Sequence, residues 1–136
     1  MRVILWYMDQ FAYHPSVKTL DFADVVSDGN SFDNAVVAFI HAEAKDENNF
    51  SKVTTKLVKN LKWLAKKWEC TQIVLHSFAH LSESKSNPDL VQEIFDNVQN
   101  RLTEVGYTVD QTPFGYFLDV QISAPGQSLA RVYKEF

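Results

Sequence analysis

The segment that most constrains the fold is residues 51–68, where Val53, Leu57, Val58, Leu61, Leu64, Ala65 and Trp68 recur with a helical period. Such a stripe needs an apolar surface to cover, and two short apolar runs flank it. Ala35–Ala42 precedes it and Thr71–His76 follows it, both too short for helices and rich in strand-forming residues. Ser51 is the expected N-cap of the helix. A second helix is expected from Asn87, an N-cap followed by Pro88 in the first turn. It runs through Leu90, Val91, Ile94, Phe95, Val98, Leu102 and Val105 to Gly106, which supplies a left-handed cap.

The remaining strands are expected at Arg2–Met8, Phe11–Tyr13 (ended by His14-Pro15), Tyr107–Val109, Gly115–Ser123 and Leu129–Tyr133. Alternation in Phe117–Ser123 predicts that Leu118, Val120 and Ile122 form one buried face. The turn-rich cluster Ser27–Ser31 is the expected flexible part. Strands, helix, strand, helix, strands define an α/β domain: a mixed β-sheet carrying two main helices. At 136 residues this is one domain, spanning 1–136.

Composition removes several function classes. The single cysteine, Cys70, excludes an internal disulfide framework and any multi-cysteine metal site. No apolar run is long enough to suggest a signal peptide or a membrane span. A net charge of −4 means that a polyanion partner needs a local basic face. Lys52, Lys56, Lys59, Lys62, Lys66 and Lys67 give the first helix such a surface, which is either a solvated face or a phosphate contact. On net charge alone the chain is expected to bind nucleic acid weakly and with shallow salt dependence. A steep dependence would make the lysine helix the contact.

Two loops carry the candidate chemistry. Phe78-Ala79-His80-Leu81-Ser82 follows a strand, where ligand sites of α/β sheets gather. His80 is either a loop histidine bonded to backbone or a pocket group. Its spacing from His76 does not make a metal site, because the two straddle a strand end. Thr112-Pro113-Phe114-Gly115 is either a plain turn or a main-chain surface that grips a ligand, the glycine permitting close approach. Asp9 is either a structural acid or a pocket carboxylate.

These loops resemble the amino-terminal editing domain of archaeal threonyl-tRNA synthetases, which has the D-aminoacyl-tRNA deacylase fold. The similarity runs the whole length. It begins with Met1-Arg2-Val3-Ile4-Leu5 and Asp9, then Val37-Ala38-Phe39-Ile40 with Glu43 and Asp46-Glu47-Asn48. Phe78-Ala79-His80-Leu81-Ser82 and Pro113-Phe114-Gly115-Tyr116 follow, then Ile122-Ser123 and Gly126 with Leu129-Ala130.

The resemblance implies a domain at the amino end of a longer synthetase, one that removes serine wrongly attached to threonine tRNA. A threonine site cannot strongly reject a side chain lacking one methyl, worth only about 1–3 kcal/mol, so a second hydrolytic site corrects the remainder. The implied substrate-binding residues are Ala42, Phe78, Ala79, His80, Pro113, Phe114, Gly115, Tyr116 and Phe117, with His80 as the catalytic candidate. They would hold the seryl-adenosine end of tRNA(Thr), whose ribose 2′-OH helps position the attacking water. The implied partners are the synthetase core, in cis or trans, and a second copy in a homodimer. The implied setting is the cytoplasm, with no metal or cofactor.

Several positions depart from the family pattern. Phe117 and Leu118 stand where it has tyrosine and then lysine. Gln127, Ser128 and Arg131 replace His, Pro and Glu, the last reversing a charge near the expected pocket. Tyr7-Met8 replaces His-Ser, and His41 occupies a position that is normally small and polar. Three readings stay open: an editing domain with hydrolysis kept or weakened, a degenerate module kept for tRNA contact or dimerisation, or a deacylase for another aminoacyl-tRNA.

Overall fold

A computed structural model describes residues 1–136. Its strands are β1 (Arg2–Lys18), β2 (Asn30–His41), β3 (Gln72–Ser77), β4 (Thr108–Gln111), β5 (Tyr116–Ser123) and β6 (Arg131–Glu135). The helices are α1 (Phe50–Lys67) and α2 (Pro88–Glu104), and short 3₁₀ turns occupy Ala44–Asn48 and Ser128–Ala130. The sheet runs β4-β3-β2-β1-β5. β2, β3 and β4 are parallel, joined through α1 and α2. β1 lies antiparallel to β2, and its outer edge is shared, with β6 along Arg2–Trp6 and β5 along Gln10–Lys18. The mixed α/β architecture expected from the sequence is therefore present.

Alternation divides the sheet's side chains between two cores. Val3, Leu5, Val36, Ala38, Ile40, Ile73 and Leu75 meet the apolar stripes of α1 and α2 in the larger one. On the opposite face Met8, Phe11, Val37, Phe39 and Val74 form a smaller, aromatic-rimmed cluster.

α2 starts as expected: the Asn87 side chain accepts the Asp89 N–H at 2.8 Å, with Pro88 first in the helix. It ends in a Schellman arrangement. Gly106, at φ +100°, donates to Thr103, and Tyr107 donates to Leu102. The N-cap of α1 lies two residues earlier than expected, at Asn49 rather than Ser51.

Four expectations need correction. His14-Pro15 does not end a strand, because β1 continues to Lys18. Proline is tolerated there because β2 pairing stops at Tyr13, and the β5 register shifts between Pro15 and Val17. Asn30 and Ser31 are not in a flexible turn but open β2, opposite Tyr13 and Ala12, and the neighbouring Phe32 stacks on Phe11. The Leu118, Val120, Ile122 face is not buried: Val120 is 42% exposed and Ile122 37%, on an edge strand that no helix covers. β6 lies two residues later than expected, because Ser128–Ala130 is a 3₁₀ turn whose Leu129 carbonyl accepts the Trp68 indole N–H.

The segment after β2, polar in sequence, is partly buried. Glu43 and Asp46 accept the Met1 ammonium at 3.1 and 3.0 Å. Glu43 also accepts the Ser82 hydroxyl at 2.9 Å and lies 3.6 Å from Arg2 Nε. Burial works against ionisation of Glu43, but bonds from Met1 and Ser82 and the charges of Met1 and Lys45 outweigh it and lower its pKa. The unfolded chain therefore binds the proton first as pH falls. Glu43's contribution is complete above about pH 4.5 and is lost as pH drops through its depressed value. Glu43→Gln should destabilise the protein by about 1–3 kcal/mol at pH 7 and flatten the acid limb below that range. Denaturant melts at pH 7, 5, 4 and 3 measure both; an unchanged acid limb would remove Glu43 from this role.

Candidate functional site

Parallel strands place their carboxyl ends on one side of the sheet, and a cavity opens there. It holds about 440 Å³. The ends of β2 and β3, the loop after β3, the start of α2 and the β4–β5 turn with the first residues of β5 enclose it. Ala42, Phe78, Ala79, His80, Pro113, Phe114, Gly115, Tyr116 and Phe117 all line it, so the structure brings together every expected binding position. Leu118 lines it as well. Arg131, expected near the pocket, is not in its wall; its guanidinium lies 5.3 Å over the Trp6 ring. Asp9 is exposed and also lies outside the lining.

One wall is aromatic. The ring of Phe39 meets His76 edge-on at 4.9 Å and Phe78 at 5.1 Å, Phe78 meets His80 at 4.8 Å, and His80 faces Phe117 at 6.4 Å. His80 is exposed and makes no hydrogen bond, so it is a pocket group held by ring contacts rather than a histidine bonded to backbone. His76 is buried, and its Nδ1 sits 2.9 Å from the Thr112 hydroxyl. Burial first, and then the charge of His80, push its pKa down to about 4.

The histidine that binds the backbone of this loop is His41, the last residue of β2. Its Nδ1 accepts the N–H groups of Leu81 and Ser82 at 2.9 and 3.1 Å. The proton is thereby assigned to Nε2, which donates to the Ser84 carbonyl at 2.7 Å. Arg2 donates to the Leu81 carbonyl, Ser82 to Glu43, and the Ser86 N–H to the Ala42 carbonyl. The segment from His80 to Ser86 is thus tied down along most of its length. Its Lys85 is the one lysine or arginine lining the cavity. Sequence reasoning missed His41 as a tether and Lys85 as a lining residue; the family mismatch at 41 was the available signal for the first.

Opposite, Gly115 takes φ +83°, and a Cβ there would meet Ala23 Cβ at 2.8 Å. The close approach that glycine permits is to the β1–β2 connection, which packs against the turn. The Thr19 N–H donates to the Gly115 carbonyl, and Tyr116 Oη accepts from the Val26 N–H and donates to the Asp24 carbonyl. Thr19 and Leu20 consequently join the cavity wall. No group of three or more His, Cys, Asp or Glu side chains is placed to hold a metal ion.

A six-stranded mixed sheet carrying two helices has the D-aminoacyl-tRNA deacylase-like fold. The solved structure of c-Myc DNA Unwinding Element Binding Protein superposes over 100% of this chain and 99% of its own, with a TM-score of 0.68. At 9% identity that likeness is one of fold alone. The family is narrower: this chain belongs to the archaea-specific editing domain of threonyl-tRNA synthetase, whose family model matches residues 1–136. It is 33% identical to threonine–tRNA ligase of Pyrococcus horikoshii and 32% identical to that of Thermococcus kodakarensis, over 97% of its length in each case. The enzyme of Methanosphaera stadtmanae is 31% identical over the same share. The chain spans 22% of the length of these relatives.

Two measurements test the site's construction. His41→Ala should cost about 1–3 kcal/mol and accelerate hydrogen exchange at the Leu81 and Ser82 amides; unchanged exchange there would exclude the tether. For His76, the unfolded chain takes up the proton near 6.5 and the folded one only near 4. Stability is therefore complete above about pH 6.5 and falls by on the order of 3 kcal/mol as pH drops through that window. Proton titration by NMR should find the His76 ring neutral at pH 5.5; a charged ring there would contradict its burial.

Proposed function

We propose that this cavity receives the aminoacyl end of tRNA(Thr) and hydrolyses serine wrongly attached there. The observation that carries the proposal is the convergence of Phe78–His80 and Pro113–Phe117 on one cavity, in a chain of the editing-domain family. The aromatic wall offers flat faces to a nucleobase, and the backbone of both loops offers polar groups to the amino acid.

Hydrolysis of the ester needs few parts. A water oxygen bonds to the carbonyl carbon, the bond from that carbon to the ribose oxygen breaks, and the proton given up by water reaches that oxygen. No oxidation state changes, so the step as written calls on no redox cofactor. The substrate's neighbouring ribose hydroxyl positions the water, and His80, exposed and free of internal hydrogen bonds, is available to relay the proton. Serine over threonine is a matter of room at the carbonyl, where one methyl is worth about 1–3 kcal/mol.

Leu118 favours a second reading, in which the cavity binds the aminoacyl end without turning it over. It lines the cavity, half-buried, where family resemblance expects an ammonium group. Removing a group that moves protons or steadies charge costs about 10²–10⁴ in rate. In either reading the chain works in the cytoplasm, with synthetase core domains, in cis or in trans, supplying the charged tRNA. The apolar edge of β5, with Val120 and Ile122 exposed, supports pairing with a second copy. No helix is long and apolar enough to cross a membrane.

The test is deacylation of Ser-tRNA(Thr), Thr-tRNA(Thr) and a D-aminoacyl-tRNA by the wild-type chain and by a Leu118→Lys, Phe117→Tyr variant. The wild type should release serine faster than buffer and spare threonine, and the variant should gain about 10²-fold or more. Binding of a non-hydrolysable seryl-adenosine analogue without any release of serine would establish the second reading. Preference for the D-aminoacyl substrate would overturn both.

A further inference from the structure

α1 carries a surface that the cavity does not explain. Its sequence, Phe50–Lys67, contains six of the chain's 13 basic residues and no acidic one. The chain holds 17 acidic residues, so those outside α1 outweigh the remaining bases by far more than the net charge of −4 suggests. Lys52, Lys56, Lys59, Lys62, Lys66 and Lys67 fan over about 140° of the helix and extend along roughly 22 Å of its axis. Several are three or four residues apart, where like charges repel and weaken a helix. An amphipathic helix needs only a polar outer face, and glutamates among these lysines would have satisfied that at lower electrostatic cost.

Two further observations point to a ligand. None of the six lysines is in an ion pair; the ion pairs of the chain fall on Met1, Arg2 and Lys45. Trp63 lies within the lysine stripe and is 38% exposed, and Lys134 from β6 sits 6.0 Å over its ring. A large aromatic face set among unpaired cations is what a nucleic-acid strand engages, with phosphates on the ammonium groups and a base or sugar on the ring. The stripe is also placed for it. α1 begins shortly after Ala42, in the cavity wall, and runs back along the sheet away from the cavity.

We propose that the outer face of α1 is an RNA-binding surface that holds the phosphate backbone of a tRNA whose 3′ end occupies the cavity. The identity of the RNA as tRNA rests on the function proposed above; the chemistry of the surface does not. Net charge is the wrong guide here, because the positive charge is concentrated on one helix.

The experiment measures binding of uncharged tRNA(Thr) across a series of salt concentrations, and of a seryl-adenosine analogue in parallel. The proteins are the wild type, a Lys56→Gln, Lys59→Gln, Lys66→Gln variant and Trp63→Ala. The wild type should show a logarithmic salt slope of about −3 or steeper. The triple variant should lose about 2–3 from that slope and bind at least about tenfold more weakly at low salt, with affinity for the analogue unchanged. Glutamine keeps the helix and relieves its repulsion, so circular dichroism should be unaltered. Trp63→Ala should weaken binding without changing the slope.

A wild-type slope shallower than about −1, or an unchanged slope in the triple variant, would overturn the surface. If the analogue still binds in that case, the cavity reading stands alone. Lysine-dependent tRNA binding, with no binding or hydrolysis at the cavity, would sustain the surface and sink the editing reading.

Discussion

Glu43 is the interaction on which the geometry of the site depends. One carboxylate, just past the end of β2, meets the Met1 ammonium, the Arg2 guanidinium and the Ser82 hydroxyl. It thereby joins the beginning of the chain, the central strand pair and the loop that carries His80. A carboxylate so placed persists because each side of it is answered by a cation or a donor. Asp46 completes the arrangement by receiving the same ammonium and by accepting the Glu43 N–H at 2.8 Å. His41 continues it into the loop, and the floor of the cavity is held from two directions.

On this frame the two cavity walls differ in character. The His80 loop is fixed by polar contacts to groups behind it, which leaves the aromatic faces of Phe78 and His80 turned to the cavity. The opposite turn is fixed by packing of Gly115 on Leu20 and Ala23 and by the two hydrogen bonds of Tyr116. The charged groups that hold the His80 loop, Arg2 and Glu43, stand behind it and not in the cavity wall. Lys85 lines the cavity, and neither it nor the lysines of α1 enter an ion pair.

Periodicity made the scaffold legible. The stripe of α1, the caps of α2 and the runs at β2 and β3 are local signals, and local physics decides them. β1 was misread at Pro15 because a proline's cost depends on whether a neighbour needs its N–H, and the neighbour is twelve or more residues away in sequence. The β5 face was misread because alternation identifies a half-apolar strand without saying what covers it. The nine cavity positions were legible through family resemblance, but the roles of their neighbours were not. His41 and Glu43 act through partners some 40 residues distant, and no spacing rule connects them. The lysine stripe was visible as composition; what the sequence concealed was that its charges remain unpaired and that Trp63 lies among them.

Gly115 has a consequence for how this site can change. Its left-handed φ and the 2.8 Å approach to Ala23 leave no room for any side chain, so the turn's path is set by backbone alone. The side chains of Phe117 and Leu118, two and three positions on, carry none of that path. Phe117 is 57% exposed, and Leu118 is only half-buried on an edge strand. Shape and reactivity are therefore written in separate residues of one short segment. Such a segment can lose or regain a reactive group by point substitution while the vessel around it stays the same.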